Sequence, residues 1–147
     1  MRSTTMRTSG THSAASRFSR VLNVALWVLQ VALAALFLWH GQFMAFPPAD
    51  MVAMINANIG EGLRTFIGIA EILAAAGLIL PGLTRILPAL TALAAAGLMI
   101  VMSSATAFHL SRGETESAIS AAVIFALVSA VAYTRWKVAP IAARRRA

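Results

Sequence analysis

Glu71 stands in the middle of a long apolar run, Leu63 to Leu80. A run of that length and composition reads as a membrane span. A carboxylate near the centre of a hydrocarbon slab costs about 3 kcal/mol or more unless it is neutralised or partnered inside the protein. The chain must therefore build a polar interior around Glu71 and keep its greasy surfaces for lipid. Composition points the same way. Of the 147 residues 59% are hydrophobic and 12% charged, with a mean hydropathy of +0.79, which places the chain in a membrane rather than among soluble domains.

Four runs can serve as spans, at about 21–41, 63–80, 86–110 and 118–134, so the expected fold is an all-α integral membrane protein, a four-helix bundle over residues 21–134. Residues 1–20 are Ser, Thr, Gly and Arg with hardly an apolar side chain, and read as a disordered basic tail. A cleaved signal peptide is the alternative there, but the run Val21 to His40 is long and no A-x-A-like site follows it, which favours an uncleaved first span. The segment from Gly41 to Glu61 is broken by Pro47, Pro48, Asp50, Asn56, Asn58 and Gly60, with a short interfacial helix expected over Ala49 to Ile55. Pro81-Gly82 reads as the stop of the second span, and Pro88 as a first-turn residue of the third. Residues 135–147 read as a second basic tail.

Charge sets the expected orientation. With four spans, one side holds Arg2, Arg7, Arg17, Arg20, Arg85, Arg135, Lys137, Arg144, Arg145 and Arg146 and no acidic residue. The other holds Arg64, Arg112, Asp50, Glu61, Glu114 and Glu116. This asymmetry predicts a multi-pass plasma-membrane protein with both termini cytoplasmic. It also accounts for the net charge of +7 without nucleic acid as a partner. The absence of cysteine excludes disulfides, thiolate metal sites and dithiol redox chemistry in this chain. Eleven Arg against one Lys, with abundant Ala, is the composition expected of a GC-rich bacterial genome.

Helical periodicity puts Arg64, Ile67, Gly68, Glu71, Ala74, Ala75 and Leu78 on one face of the second span, opposite Phe66, Ile69, Leu73, Ala76 and Leu80. The first face is small and polar, so Glu71 is expected to look into the bundle. Asn23, Gln30 and Phe37 form a stripe on the first span, with His40 and Gly41 at its outer end. Thr91, Ala95, Met102, Ala105, Thr106 and His109 form one on the third. The matched Leu-Ala-Ala-Ala-Gly-Leu segments at 73–78 and 93–98 read as small-residue faces that let the second and third spans approach closely. Small faces also leave homo-oligomerisation open.

His40, Arg64 and His109 fall near the outer ends of their helices, and Glu71 lies seven residues, about 10 Å, deeper than Arg64. These placements outline an outward-opening polar pocket of His40, Arg64, Glu71, Thr106 and His109, with Gln30 as a further polar group on the first helix. Each residue also has a plainer reading. Glu71 is either a structural carboxylate, protonated or hydrogen-bonded to Gln30 or Arg64, or a proton-handling group. Arg64 is either an interfacial snorkeler or a ligand clamp. His40 and His109 are interfacial hydrogen-bonders before they are a haem axis, and Met44, Met51 and Met54 are adaptable packing rather than metal ligands. No catalytic signature and no metal site is read from the sequence.

The order of these features resembles the DoxX family of small four-helix bacterial membrane proteins. The resemblance covers about residues 25 to 134. It is carried by Phe37-Leu38-Trp39-His40-Gly41, a Pro-containing outer loop, Leu63-Arg64-Thr65-Phe66-Ile67-Gly68-Ile69-Ala70-Glu71-Ile72-Leu73, then Gly77-Leu78-Ile79-Leu80-Pro81. The Arg-x6-Glu spacing followed by G-L-x-L-P is its most specific part. Members usually carry a Lys shortly after the Gly that ends the first helix, where Met44 stands here. The resemblance implies a non-catalytic accessory or scaffolding subunit of a membrane redox assembly, quinone-linked or concerned with oxidative stress. It implies redox-complex subunits and the lipid bilayer as partners, and a quinone as the small molecule that the outer pocket would take. A proton-coupled carrier and a purely structural membrane protein are the alternatives.

Overall fold

The structure is a computed structural model; it describes the backbone of residues 9–144 and the side chains from residue 17 onward. Five helices follow one another: α1 Ser9–Ala45, α2 Ala49–Ile59, α3 Glu61–Thr84, α4 Ala89–Ser111 and α5 Thr115–Tyr133, the last running into a π-helical turn, Thr134–Val138. Among the described residues there is no strand. Four segments are long and apolar enough to cross a membrane, Arg17–Ala45, Glu61–Thr84, Ala89–Ser111 and Thr115–Val138. Their outward faces are apolar as well as exposed: Val24, Val28, Phe66, Leu73, Leu93 and Ile100 are each more than half accessible. A continuous greasy girdle of this kind requires lipid, and the chain is a four-span integral membrane protein.

The helices pack in chain order, α1 on α3, α3 on α4 and α4 on α5, with only slight contact between α1 and α5. The core is Leu33, Phe37, Ala75, Leu78, Ala95, Leu98, Met102, Val128 and Val131. The small polar face expected on the second span is the buried face of α3, where Arg64, Gly68, Glu71, Ala75 and Leu78 are all buried. Gly77 lies against Ala94 so closely that a Cβ on it would sit 2.7 Å from the Ala94 Cβ, whereas Gly97 faces open space. The small-residue contact between α3 and α4 thus uses the glycine of the first segment only.

Several helix ends differ from expectation, four of them for local reasons. Residues 9–20, expected as part of a disordered tail, are helical in α1. Once the apolar run has nucleated a helix, each added residue gains a hydrogen bond without a new nucleation cost, and Ala14 and Ala15 favour continuation. Arg2 and Arg7 at one end, Arg145 and Arg146 at the other, lie outside the described residues. Pro81 does not stop α3, which continues to Thr84 and ends on the left-handed Arg85. Proline removes one bond to the preceding turn, and in that turn the Gln30 side chain donates to the Leu78 carbonyl at 2.7 Å. Ile86 and Leu87 belong to the α3–α4 connection rather than to the third span, with Leu87 at φ 48°. Finally, the chain does not leave the bundle at residue 135: the π-helical turn carries Arg135 inward and buries it.

Candidate functional site

The α1–α3 contact sets the geometry of the site. Gly41 and Gly68 face each other so tightly that a Cβ on Gly41 would lie 2.8 Å from the Gly68 carbonyl oxygen and 3.0 Å from the Glu71 Cβ. A Cβ on Gly68 would in turn strike the Gly41 carbonyl at 2.7 Å and the backbone of Ala45. Only glycine lets the two backbones touch there. One residue before Gly41 and three after Gly68, the side chains that flank this contact meet: His40 Nδ1 lies 2.6 Å from Glu71 Oε2. Glu71 is fully buried, whereas the His40 side chain is about 38% exposed. The second carboxyl oxygen, Oε1, is buried with no hydrogen-bond partner.

His40 is also a wall of a cavity of about 420 Å³ between α1, α4 and α5. Leu36, Phe37, Met102, Ala121 and Ile124 give it apolar walls, and His40, His109, Glu116, Ser117 and Ser120 supply polar groups. The volume lies in the range of small-molecule sites, and an apolar chamber with a few polar groups is their usual make-up. Across the bundle α1 and α5 make only slight contact. Among the described residues no group of His, Asp and Glu is placed to hold a metal ion.

The residues singled out from sequence separate into three places. His40 and Glu71 pair, and His40 and His109 both line the cavity. Arg64 stands apart. Its Nε donates to Asn56 Oδ1 at 2.8 Å, and its Nη1 donates to the carbonyls of Met44 and Ala45. It is therefore neither a snorkeler nor a partner of Glu71. It caps the C-terminal carbonyls of α1, where a cation is favoured by the helix dipole, and it ties α1 to α2 and α3. The deciding quantity is the seven-residue separation, two helical turns, which puts its head well away from the Glu71 carboxyl.

Gln30 is fully buried but lies ten residues from His40 along α1, about 15 Å toward the other end of the bundle. It accepts from Arg135 Nε at 2.6 Å and does not reach Glu71. Thr106 spends its hydroxyl on the Met102 carbonyl of its own helix, at 2.8 Å. His109 Nδ1 lies 2.6 Å from Glu114 Oε2, and Arg112 bridges the other Glu114 oxygen to Asn58 of α2. The Arg112 guanidinium, with His109 beside it, holds the Glu114 carboxyl below its ordinary value.

Two groups escaped the sequence reading. Glu116 and the Ser117/Ser120 pair line the cavity from the first turns of α5. Their positions four and three apart signalled a shared face, but the polar loop before them masked it. Arg135 escaped because it follows the last apolar residue of its span and so looked like a tail residue.

Comparison with known proteins bears on the whole arrangement. The profile of the DoxX-like family matches residues 28–132, a stretch that begins before Gln30 and contains the α1–α3 glycine contact, the His40–Glu71 pair and all the cavity walls. The chain belongs to the DoxX-like family. Comparison with curated proteins and with solved structures gives no match.

Proposed function

We propose that this DoxX-like protein is an accessory subunit of a membrane redox assembly, and that it offers the α1–α4–α5 cavity to a quinone-type headgroup on the outer side of the plasma membrane. The observation that carries the reading is the double position of His40, which pairs with a buried carboxyl through Nδ1 and lines the cavity with the same ring. The cavity residues suit the ligand class: polar groups on His40, His109, Ser117 and Glu116 for a polar ring, and Phe37, Met102 and Ile124 for its apolar body.

The pair has two arrangements, which differ by one proton. With Glu71 ionised, Nδ1 donates to Oε2 and Nε2 is left with a lone pair, ready to accept from a quinol hydroxyl. His40 then takes that proton at Nε2 while its Nδ1 proton moves to the carboxylate. In the second arrangement the Glu71 hydroxyl donates to Nδ1, and Nε2–H donates to a quinone carbonyl. A quinone-type headgroup would supply two-electron, two-proton chemistry when bound, the pair taking one of the protons and the electrons and second proton passing to the partner assembly. The basic residues at the end opposite the cavity, with both chain termini, face the cytoplasm in this reading.

Four spans that run without interruption support the accessory role over a carrier, which as a rule uses discontinuous helices at its site. The orphaned Oε1 of Glu71 supports a functional role over a purely structural one, because a carboxylate that only locked a bundle would gain from a second partner. Quinone-dependent turnover in native membranes tests the proposal. Glu71→Gln should abolish the part of that turnover which is lost on deleting this protein, with insertion intact, and unchanged turnover would refute it.

A further inference from the structure

The end of the bundle opposite the cavity holds an arginine with no acidic partner. Arg135 is 4% exposed. Its Nε donates to Gln30 Oε1 at 2.6 Å, its Nη1 to Asn23 Oδ1 at 2.7 Å and to the Ala139 carbonyl at 3.3 Å, and the guanidinium stands 5.5 Å from the centre of the Trp27 ring. All of these partners are neutral. The ion pairs among the described residues join His40 to Glu71, and His109 and Arg112 to Glu114, and none of them involves Arg135. A guanidinium taken out of water without a counter-charge is a costly arrangement.

Its third nitrogen, Nη2, is buried and has no partner. Of the three such atoms among the described residues, a second, Thr91 Oγ1, also lies at this end, in the first turn of α4, which packs against the 134–138 turn. A buried cationic donor without a partner calls for an oxyanion, and a free hydroxyl on the neighbouring helix end suits one too. Tyr133 and Trp136 on either side of Arg135 are largely exposed aromatic residues of the kind that sit at the membrane interface. Around them the surface is basic, with Lys137 in the same turn, and Arg144 donating its backbone N–H to the Arg85 carbonyl at 3.0 Å.

We infer that Arg135 is the centre of an anion site for the phosphate group of an anionic phospholipid. The phosphodiester supplies the missing counter-charge and accepts a hydrogen bond from Nη2–H, and Thr91 can add its hydroxyl. Arg135 fastens α1 to the end of α5, so an occupied site holds shut the end of the α1–α5 seam that lies away from the cavity. This site is independent of the quinone reading, since it shares no residue with the cavity.

The test uses the full chain in neutral detergent, depleted of native lipid and then supplied with phosphatidylglycerol, phosphatidylcholine or inorganic phosphate. Native mass spectrometry reads the adducts, and a thermal unfolding midpoint reads stabilisation. Phosphatidylglycerol should be retained over phosphatidylcholine by about fivefold or more, the scale of one interfacial cation acting on an anionic lipid, and should raise the midpoint. Arg135→Gln should erase that preference, and Arg85→Gln/Lys137→Gln/Arg144→Gln should keep most of it. Stabilisation by inorganic phosphate equal to that by phosphatidylglycerol, lost in Arg135→Gln, would keep the anion site and assign it to soluble phosphate instead of lipid. Equal retention of the two lipids by the wild type, or a preference that survives Arg135→Gln, overturns the inference. If Arg135→Gln does not fold, the wild type and the triple variant decide: a preference lost in the triple variant belongs to the surface charges and overturns it as well.

Discussion

His40 Nδ1 lies 2.6 Å from Glu71 Oε2, across the interface between α1 and α3, the two residues standing 31 positions apart in the chain. One member is fully buried and the other partly exposed. A buried acid is thereby connected, through one imidazole ring, to the cavity between α1, α4 and α5.

The pair depends on the backbone contact of Gly41 with Gly68. Gly68→Ala should destabilise the bundle by about 1–3 kcal/mol, because its Cβ meets backbone, which cannot step aside as a flexible side chain would. Gly97→Ala, where a Cβ meets nothing within 4 Å, should be neutral or slightly stabilising. Thermal or denaturant unfolding in one detergent, with both variants side by side, checks the contrast.

Arg64 has become a structural prediction. Arg64→Ala leaves the Met44 and Ala45 carbonyls and Asn56 without their donor, and should cost about 2–3 kcal/mol, the scale of hydrogen bonds to a charged group. Arg64→Lys should recover only part of that, because an ammonium cannot reproduce the guanidinium fork that reaches α1 and α2 together. Faster hydrogen exchange at the C-terminal end of α1 and in α2 would report the lost cap.

Glu114 gives the pH dependence that can be read outside the spans. Arg112 and His109 lower its carboxyl below the ordinary value of 4.5. A lowered acid stabilises fully above that ordinary value and loses the contribution as pH falls through the depressed one. The 112–115 turn should therefore stay ordered as pH falls toward 4.5 and loosen below it, seen as hydrogen exchange at the Gly113 and Glu114 amides, which donate to Leu110 and His109. Glu114→Gln should remove the dependence.

The spans, the inward face of α3 and the polar stripe of α1 were legible in the sequence because helical periodicity fixes which residues share a face. Periodicity does not fix which faces meet at which height. Glu71 was read either as bonded to Gln30 or Arg64 or as sharing a polar pocket with His40, and it pairs with His40, because the Gly41–Gly68 contact sets the register of α1 against α3 and that contact is a tertiary fact. Arg135 was hidden for a related reason: an arginine just past an apolar run has the pattern of a flanking charge, and only the continuing helical turn brings it back to Gln30. An outward-opening pocket with His40 and His109 was legible, but its α5 wall was not, because that wall depends on how α5 packs beside α1, where contact is slight.

The central claim is that His40 joins Glu71 to a quinone-type ligand in the cavity. Its most direct test is the binding of a short-tailed benzoquinone and of its quinol to the purified chain, measured by native mass spectrometry or calorimetry, for wild type and for His40→Ala and Glu71→Gln. Saturable binding to the wild type, lost in His40→Ala, is the expected result. In Glu71→Gln the quinone and quinol affinities should shift apart, because the amide holds His40 in one tautomer. Binding of equal strength in all three proteins, or none to a folded wild type, would contradict it.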